Sequence, residues 1–223
     1  MTEKRELEFE IAAPQEAVWH ALVDPAGLVG WFASDARVTL EPGGEWFVAH
    51  GEHGQSSTVE EVVPGERVRT RFGQTTTEFV LEGRRGTTVL RIVQSGFDEE
   101  DFGSLERGWT HYVETLRHYL TRHADEAAKG AYIYSRGSGT VVEARAVLPA
   151  TLPDGAEVFD EGARTLGARV PVLGDGIYRA SIEGRDGEPS VWVHLVAYGD
   201  GRSCLAEVSG DVERKLAAAL ARV

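Results

Sequence analysis

Between residues 36 and 94 the chain is built from short runs in which apolar side chains recur at every second position: 36–40, 45–49, 56–63, 68–72, 75–81 and 87–94. That period predicts six half-buried strands. The separators at 42–44 (PGG), 64–66 (PGE) and 83–86 (GRRG) are brief and turn-forming, so successive strands become antiparallel neighbours and the segment reads as a meander. A meander of this length needs cover for its apolar face, and the flanking segments supply it. Upstream, residues 5–12 (RELEFEIA) place Leu7, Phe9 and Ile11 on one side, which adds an opening strand. Pro14 can begin a helix without losing a needed hydrogen bond, and Ala17, Val18, Ala21 and Leu22 follow at helical spacing as far as Val23. The stretch DPAGLVGWF breaks that helix at Asp24 and Pro25 and makes a further short turn ending in Trp31 and Phe32. Downstream, Leu105, Trp109, Tyr112, Val113, Leu116 and Leu120 share one face of a long amphipathic helix over 105–122.

Residues 125–139 begin as a helix tail and end in small residues, and they read as a linker. They divide a first domain, 1–124, from a smaller α+β domain, 140–223. In the second domain the expected strands are 141–148, 177–182, 191–198 and 204–208, followed by a helix over 211–222 with Asp211 as its N-cap. The stretches VLEGRRGTTVLRIV (80–93) and SIEGRDGEPSVWVH (181–194) share a strand, an EGR-x-G turn and a second strand. Duplication and independent reuse of glycine turn chemistry both account for this echo. The second domain has no evident strand–helix opening of its own, so as a second copy it would be a degenerate half-repeat.

Composition narrows the function. The chain is 223 residues long and 42% hydrophobic, enough for a real core, and 36 acidic against 23 basic groups give a net charge of -13. Both parts are acidic, which argues against a sequence-independent grip on nucleic acid. The single Cys204 has no partner for an internal disulfide and no Cys/His cluster around it, which fits a reducing, cytoplasmic setting without structural zinc. The start MTEKRELEFEIAAP lacks the continuous apolar stretch of a secretory signal, and no window is long enough for a membrane span. Phosphate loop, dinucleotide fingerprint, HExxH and nucleophile elbow are all absent from the sequence.

Four segments carry a resemblance: IAAPQEAVWHAL, DPAGLVGWF, GGEWFV and GWTHYVETLRHYL, in this order over about residues 1–124. Together they resemble the START-like (SRPBCC, polyketide cyclase and aromatic-hydrocarbon-binding) superfamily, and within it bacterial proteins similar to the activator of the heat-shock-protein-ninety ATPase. The resemblance implies a helix-grip fold, a curved antiparallel sheet wrapped around the long C-terminal helix, with a cavity between them. It further implies that Trp31, Phe32, Trp46, Phe72, Phe79, Trp109, Tyr112 and Leu116 face that space. On this reading the chain binds a small apolar or amphipathic molecule in a closed, mainly apolar cavity of roughly 300 to 1,000 Å³. It does so as a monomer or homodimer, with no catalytic residue, metal or cofactor. Two alternatives stay open: a polyketide cyclase or dehydratase using the same cavity, which requires a buried acid or base with a perturbed titration, and a chaperone-associated protein.

Several residues invite chemistry that their setting does not favour. His111 and His118 share a helix face at the edge of the apolar stripe, where solvation is expected. HGEHG (50–54) offers two imidazoles and Glu52, but histidines three apart fall on opposite faces of a regular strand, and the segment reads as an exposed loop. DEED (98–101) reads as a surface run ahead of the long helix. Gly108 before Trp109 suggests close helix–sheet approach, ahead of room left for a ligand. Trp192 and His194 share a strand face, and His194 is expected to be a hydrogen-bonded structural residue.

Overall fold

The computed structural model describes residues 4–96, 102–124 and 126–222 and contains two compact units, 1–125 and 126–223. The DEED run lies outside the described residues.

Unit 1 opens with β1 (Lys4–Ile11), whose alternating side chains end in the fully buried Ile11. Helices α1 (Gln15–Val23) and α2 (Pro25–Trp31) follow, with Pro14 in extended backbone at the N-cap of α1 and Pro25 in the first turn of α2. A Cβ on Gly27 would stand 2.7 Å from the carbonyl oxygen of His20, so only glycine lets the two helices meet this closely. The Trp31 indole then ties α2 to α1 by donating to the Ala21 carbonyl at 2.8 Å.

The meander comprises β2 (Asp35–Val38), β3 (Glu45–His50), β4 (His53–Val63), β5 (Arg67–Phe72), β6 (Thr75–Arg84) and β7 (Thr87–Ser95). All neighbours are antiparallel, and β1 returns to pair with β7, giving the order β1-β7-β6-β5-β4-β3-β2. A register irregularity between Val59 and Glu61 bends β4. The long helix α3 (Phe102–Arg122) lays Trp109, Val113, Leu116 and Tyr119 into the interior. It buries a broader arc than its apolar stripe: His111, expected in solvent, is 7% exposed, and Thr115 is buried beside it. Gly108 is not a close-approach residue, because a Cβ there would meet nothing within 4 Å.

Unit 2 departs from the expected elements. The segment read as linker carries strand β8 (Ala128–Arg136), paired along its whole length with β12 (Ser190–Tyr198). The strand expected over 141–148 is helix α4 (Val141–Val147) followed by a 3-10 turn, Leu148–Thr151. Its valines suggested a strand, but Thr140 and Glu143 form a capping box that starts a helix: the Thr140 hydroxyl accepts from the Glu143 amide, and the Glu143 carboxylate accepts from the Thr140 amide at 2.8 Å. Strands β9 (Glu157–Glu161), β10 (Thr165–Val170) and β11 (Gly176–Glu183) complete a sheet of order β8-β12-β11-β10-β9. The strand expected over 204–208 is instead the first turn of α5 (Leu205–Leu220), where Leu205, Val212, Leu216 and Leu220 form one buried stripe. Asp211 lies inside this helix, paired with Lys215 at 2.8 Å, and is not its cap.

The two sheets share a topology. In each, an opening strand is followed by helix, the meander runs in sequence order, its last strand returns to the opening strand, and a helix closes the unit. Unit 2 therefore has the strand–helix opening that seemed missing, in β8 and α4. The EGR-x-G echo falls on equivalent hairpins, β6–β7 and β11–β12.

Candidate functional site

Alternation decides which side chains meet in unit 1. Trp46, Val48 and His50 of β3, Ser57 of β4, Thr70 of β5, Thr77 and Phe79 of β6 and Gln94 of β7 all fall on the concave face of the sheet. With Phe32, Trp109 and Gln55 they enclose a cavity of about 160 Å³. The space is half the lower bound expected from the sequence, and six of its eleven lining residues are polar. Gln55 is exposed, so the cavity reaches solvent at the β3–β4 end instead of being closed.

One wall is aromatic. Phe32 stacks on Trp109 with centroids 5.7 Å apart and planes 10° from parallel, and Phe79 meets Trp109 edge-on at 5.4 Å. Trp46 tilts against Phe79 at 5.4 Å, and Tyr112 packs edge-on against Phe32 at 4.7 Å. The other wall is polar because register sets Thr70 opposite Thr77 and Thr77 opposite Gln94. Gln94 joins the walls: its amide donates to the Thr77 hydroxyl at 2.8 Å and its carbonyl accepts from the Trp109 indole at 2.7 Å. The indole N–H of Trp46 is buried with no acceptor among the described residues.

His50 sits at the end of β3, opposite His53 across the turn to β4, so HGEHG is a hairpin and not a loose loop. Its ring packs edge-on to Phe32 at 5.1 Å. Burial, with a smaller contribution from His53, pushes the imidazolium down to about 4, so the cavity carries a neutral imidazole at pH 7.

Of the residues that the resemblance pointed to, Phe32, Trp46, Phe79 and Trp109 line this cavity. Trp31 and Leu116 are fully buried in the core beyond it, and Tyr112 backs the aromatic wall through Phe32. Phe72 does not belong: it shares the alternation of Val68 and Thr70 but stands at the last position of β5, where the strand ends and the ring is 51% exposed. The polar members Thr70, Thr77 and Gln94 were missed because threonine and glutamine in strands do not announce a site. Their signal lay in the period, since they take the same alternate positions as Phe79 and Ile92.

In unit 2, His194 is buried and stacks on Tyr132 at 4.2 Å, and Trp192 packs on Tyr134 at 4.5 Å. Arg179, 1% exposed, reaches Asp160 at 3.4 Å.

The first unit thus has the helix-grip architecture of the AHSA1 and polyketide cyclase (SRPBCC) type. Residues 12–121, just under half of the chain, match the family described as Activator of Hsp90 ATPase homolog 1-like protein, so unit 1 is similar to that family. The match leaves unit 2 outside it. No curated relative matches the chain. Among solved structures, DynU16, described as a putative protein in the dynemicin biosynthetic locus, is 18% identical with a TM-score of 0.50, covering 98% of this chain and 96% of its own. That likeness extends the shared fold across both units. An AHSA1-like protein from Rhizobium etli is 28% identical over 55% of this chain and 84% of its own, with a TM-score of 0.45. The Aha1 dimer from Colwellia psychrerythraea is 20% identical over 53% of this chain and 96% of its own, with a TM-score of 0.49. Among the described residues no helix is long and apolar enough to cross a membrane.

Proposed function

We propose that unit 1 binds a small amphipathic molecule in the space between α3 and the sheet. The observation that carries this reading is the two-sided lining. Aromatic Phe32, Phe79 and Trp109 and polar Thr70, Thr77 and Gln94 together line about 160 Å³ of space. A core whose only task is stability has no use for such a gap, because each lost contact and each buried polar group costs free energy. The family match to unit 1 supports the same reading.

The cyclase alternative asks for a buried acid or base, and His50 is the one perturbed group in the lining. With its conjugate acid confined to pH values near 4, it has no proton to donate at neutral pH and is a weak base, which favours binding over proton transfer.

The test is equilibrium dialysis of the full chain against a mixture of small aromatic and aliphatic compounds, beside the variant Val48→Trp, which fills the cavity from β3. Retention of a compound by the natural chain and its loss in Val48→Trp is the expected result. Equal retention by both, or by neither, counts against the proposal.

A further inference from the structure

The lining says more about the ligand than that it is amphipathic, provided that the cavity binds one at all. Its volume of about 160 Å³ is close to that of an engineered apolar cavity of about 150 Å³ that accepts a single benzene ring. A space of this size favours one ring over two fused rings. Phe32 stacks on Trp109 with planes 10° from parallel and Phe79 meets Trp109 at 84°, so the lining offers ring faces and edges against which an aromatic guest can pack.

Charge is disfavoured. No Asp, Glu, Lys or Arg stands among the described residues that line the cavity. A carboxylate or ammonium placed there would be stripped of water without a counter-ion.

The polar side needs a partner that both donates and accepts. Thr70 is 5% exposed, lines the cavity, and its hydroxyl has no hydrogen-bond partner among the described residues. The neighbouring Thr77 hydroxyl already accepts from Gln94 and retains its own proton to donate. A ligand hydroxyl can accept from Thr77 and donate to Thr70, whereas a hydrocarbon leaves both threonines unsatisfied.

We propose that the cavity takes an uncharged single-ring compound bearing a hydroxyl group, a phenol, with its ring on the Phe32–Trp109 face and its oxygen on the Thr70–Thr77 pair. The inference rests on the binding reading above and specifies its ligand class.

The experiment titrates the full isotope-labelled chain with phenol, toluene, benzoate and 1-naphthol at pH 7, following the amide signals of Thr70 and Thr77 by NMR. Phenol is expected to bind at least about tenfold more tightly than toluene, with benzoate and 1-naphthol leaving these signals unmoved. The variant Thr70→Val keeps the shape and the strand preference of the side chain and removes the hydroxyl. It is expected to cut the phenol-to-toluene preference by about fivefold or more. Ser56→Ala, on the opposite, exposed face of β4, serves as a second variant with an unchanged preference. Toluene or benzoate binding as tightly as phenol, tighter binding of 1-naphthol, or a preference unmoved by Thr70→Val would overturn the phenol assignment and leave cavity binding standing. If none of the four probes moves the Thr70 and Thr77 signals, the assignment and the binding reading fall together.

Discussion

The link between the two walls of the cavity is a single side chain, and its worth can be measured. Gln94 accepts from the Trp109 indole at 2.7 Å and donates to Thr77 at 2.8 Å, with Gln94 and Trp109 both nearly buried. In Trp109→Phe the Gln94 carbonyl loses its donor, an unsatisfied buried acceptor that costs about 1–3 kcal/mol. The smaller ring gives up part of the 3–5 kcal/mol typical of deleting a whole buried aromatic, so about 2–4 kcal/mol in total is expected. In Gln94→Leu the indole and the Thr77 hydroxyl are stranded, again at about 1–3 kcal/mol. In the double variant the Trp109–Gln94 pair becomes two apolar groups, and that part of the penalty disappears. The double change should therefore cost less than the sum of the single ones by about 1 kcal/mol or more. The assay is urea unfolding followed through the indole signals of Trp19, Trp31 and Trp46, which report unit 1. Additivity within about 0.5 kcal/mol would refute the reasoning, because independent sites add to that accuracy and hydrogen-bonded partners do not.

Two further outcomes follow from the same packing. The His50 imidazolium, held at about 4 against an ordinary 6.5, binds its proton in the unfolded chain before it does so in the folded one. Stability contributed by its neutral form is present above pH 6.5 and drains away as pH falls towards 4, by up to about 3 kcal/mol. Urea midpoints for the natural chain and His50→Gln between pH 7 and 4.5 test this: the variant should lose less stability on acidification, and parallel profiles would count against it. Leu116→Ala, at a fully buried site, should cost about 2–5 kcal/mol, whereas Phe72→Ser, at a half-exposed strand end, should stay within about 0.5 kcal/mol. Thermal unfolding separates the two, and a large loss at Phe72 would return it to the interior.

Much of unit 1 was legible because a single rule governs it. Alternating strands and one long amphipathic helix gave all seven strands and all three helices within a few residues of their ends, and the aromatic members of the cavity followed from the resemblance. Size and polarity were not legible. Whether Trp46 and Phe79 fill the space or leave a gap depends on ring orientation, and the polar row exists only when β5, β6 and β7 are placed side by side in register. Unit 2 was harder for local reasons. VVEARAV has the composition of a strand and becomes a helix through its capping box, and β8 was hidden in a run of alanine, glycine and tyrosine whose pairing strand lies some sixty residues away. The EGR-x-G echo held the clue to the repeated topology, but glycine turns recur too readily for two hairpins to settle it.

Central to all of this is a molecule held in the unit 1 cavity, and native mass spectrometry tests it most directly. The natural chain and Val48→Trp would be incubated with a protein-free cell extract and sprayed under non-denaturing conditions. The natural chain should carry an added mass that denaturation releases as one small compound, and Val48→Trp should fly bare. A bare natural chain, or the same added mass on both proteins, would contradict the cavity as a binding site.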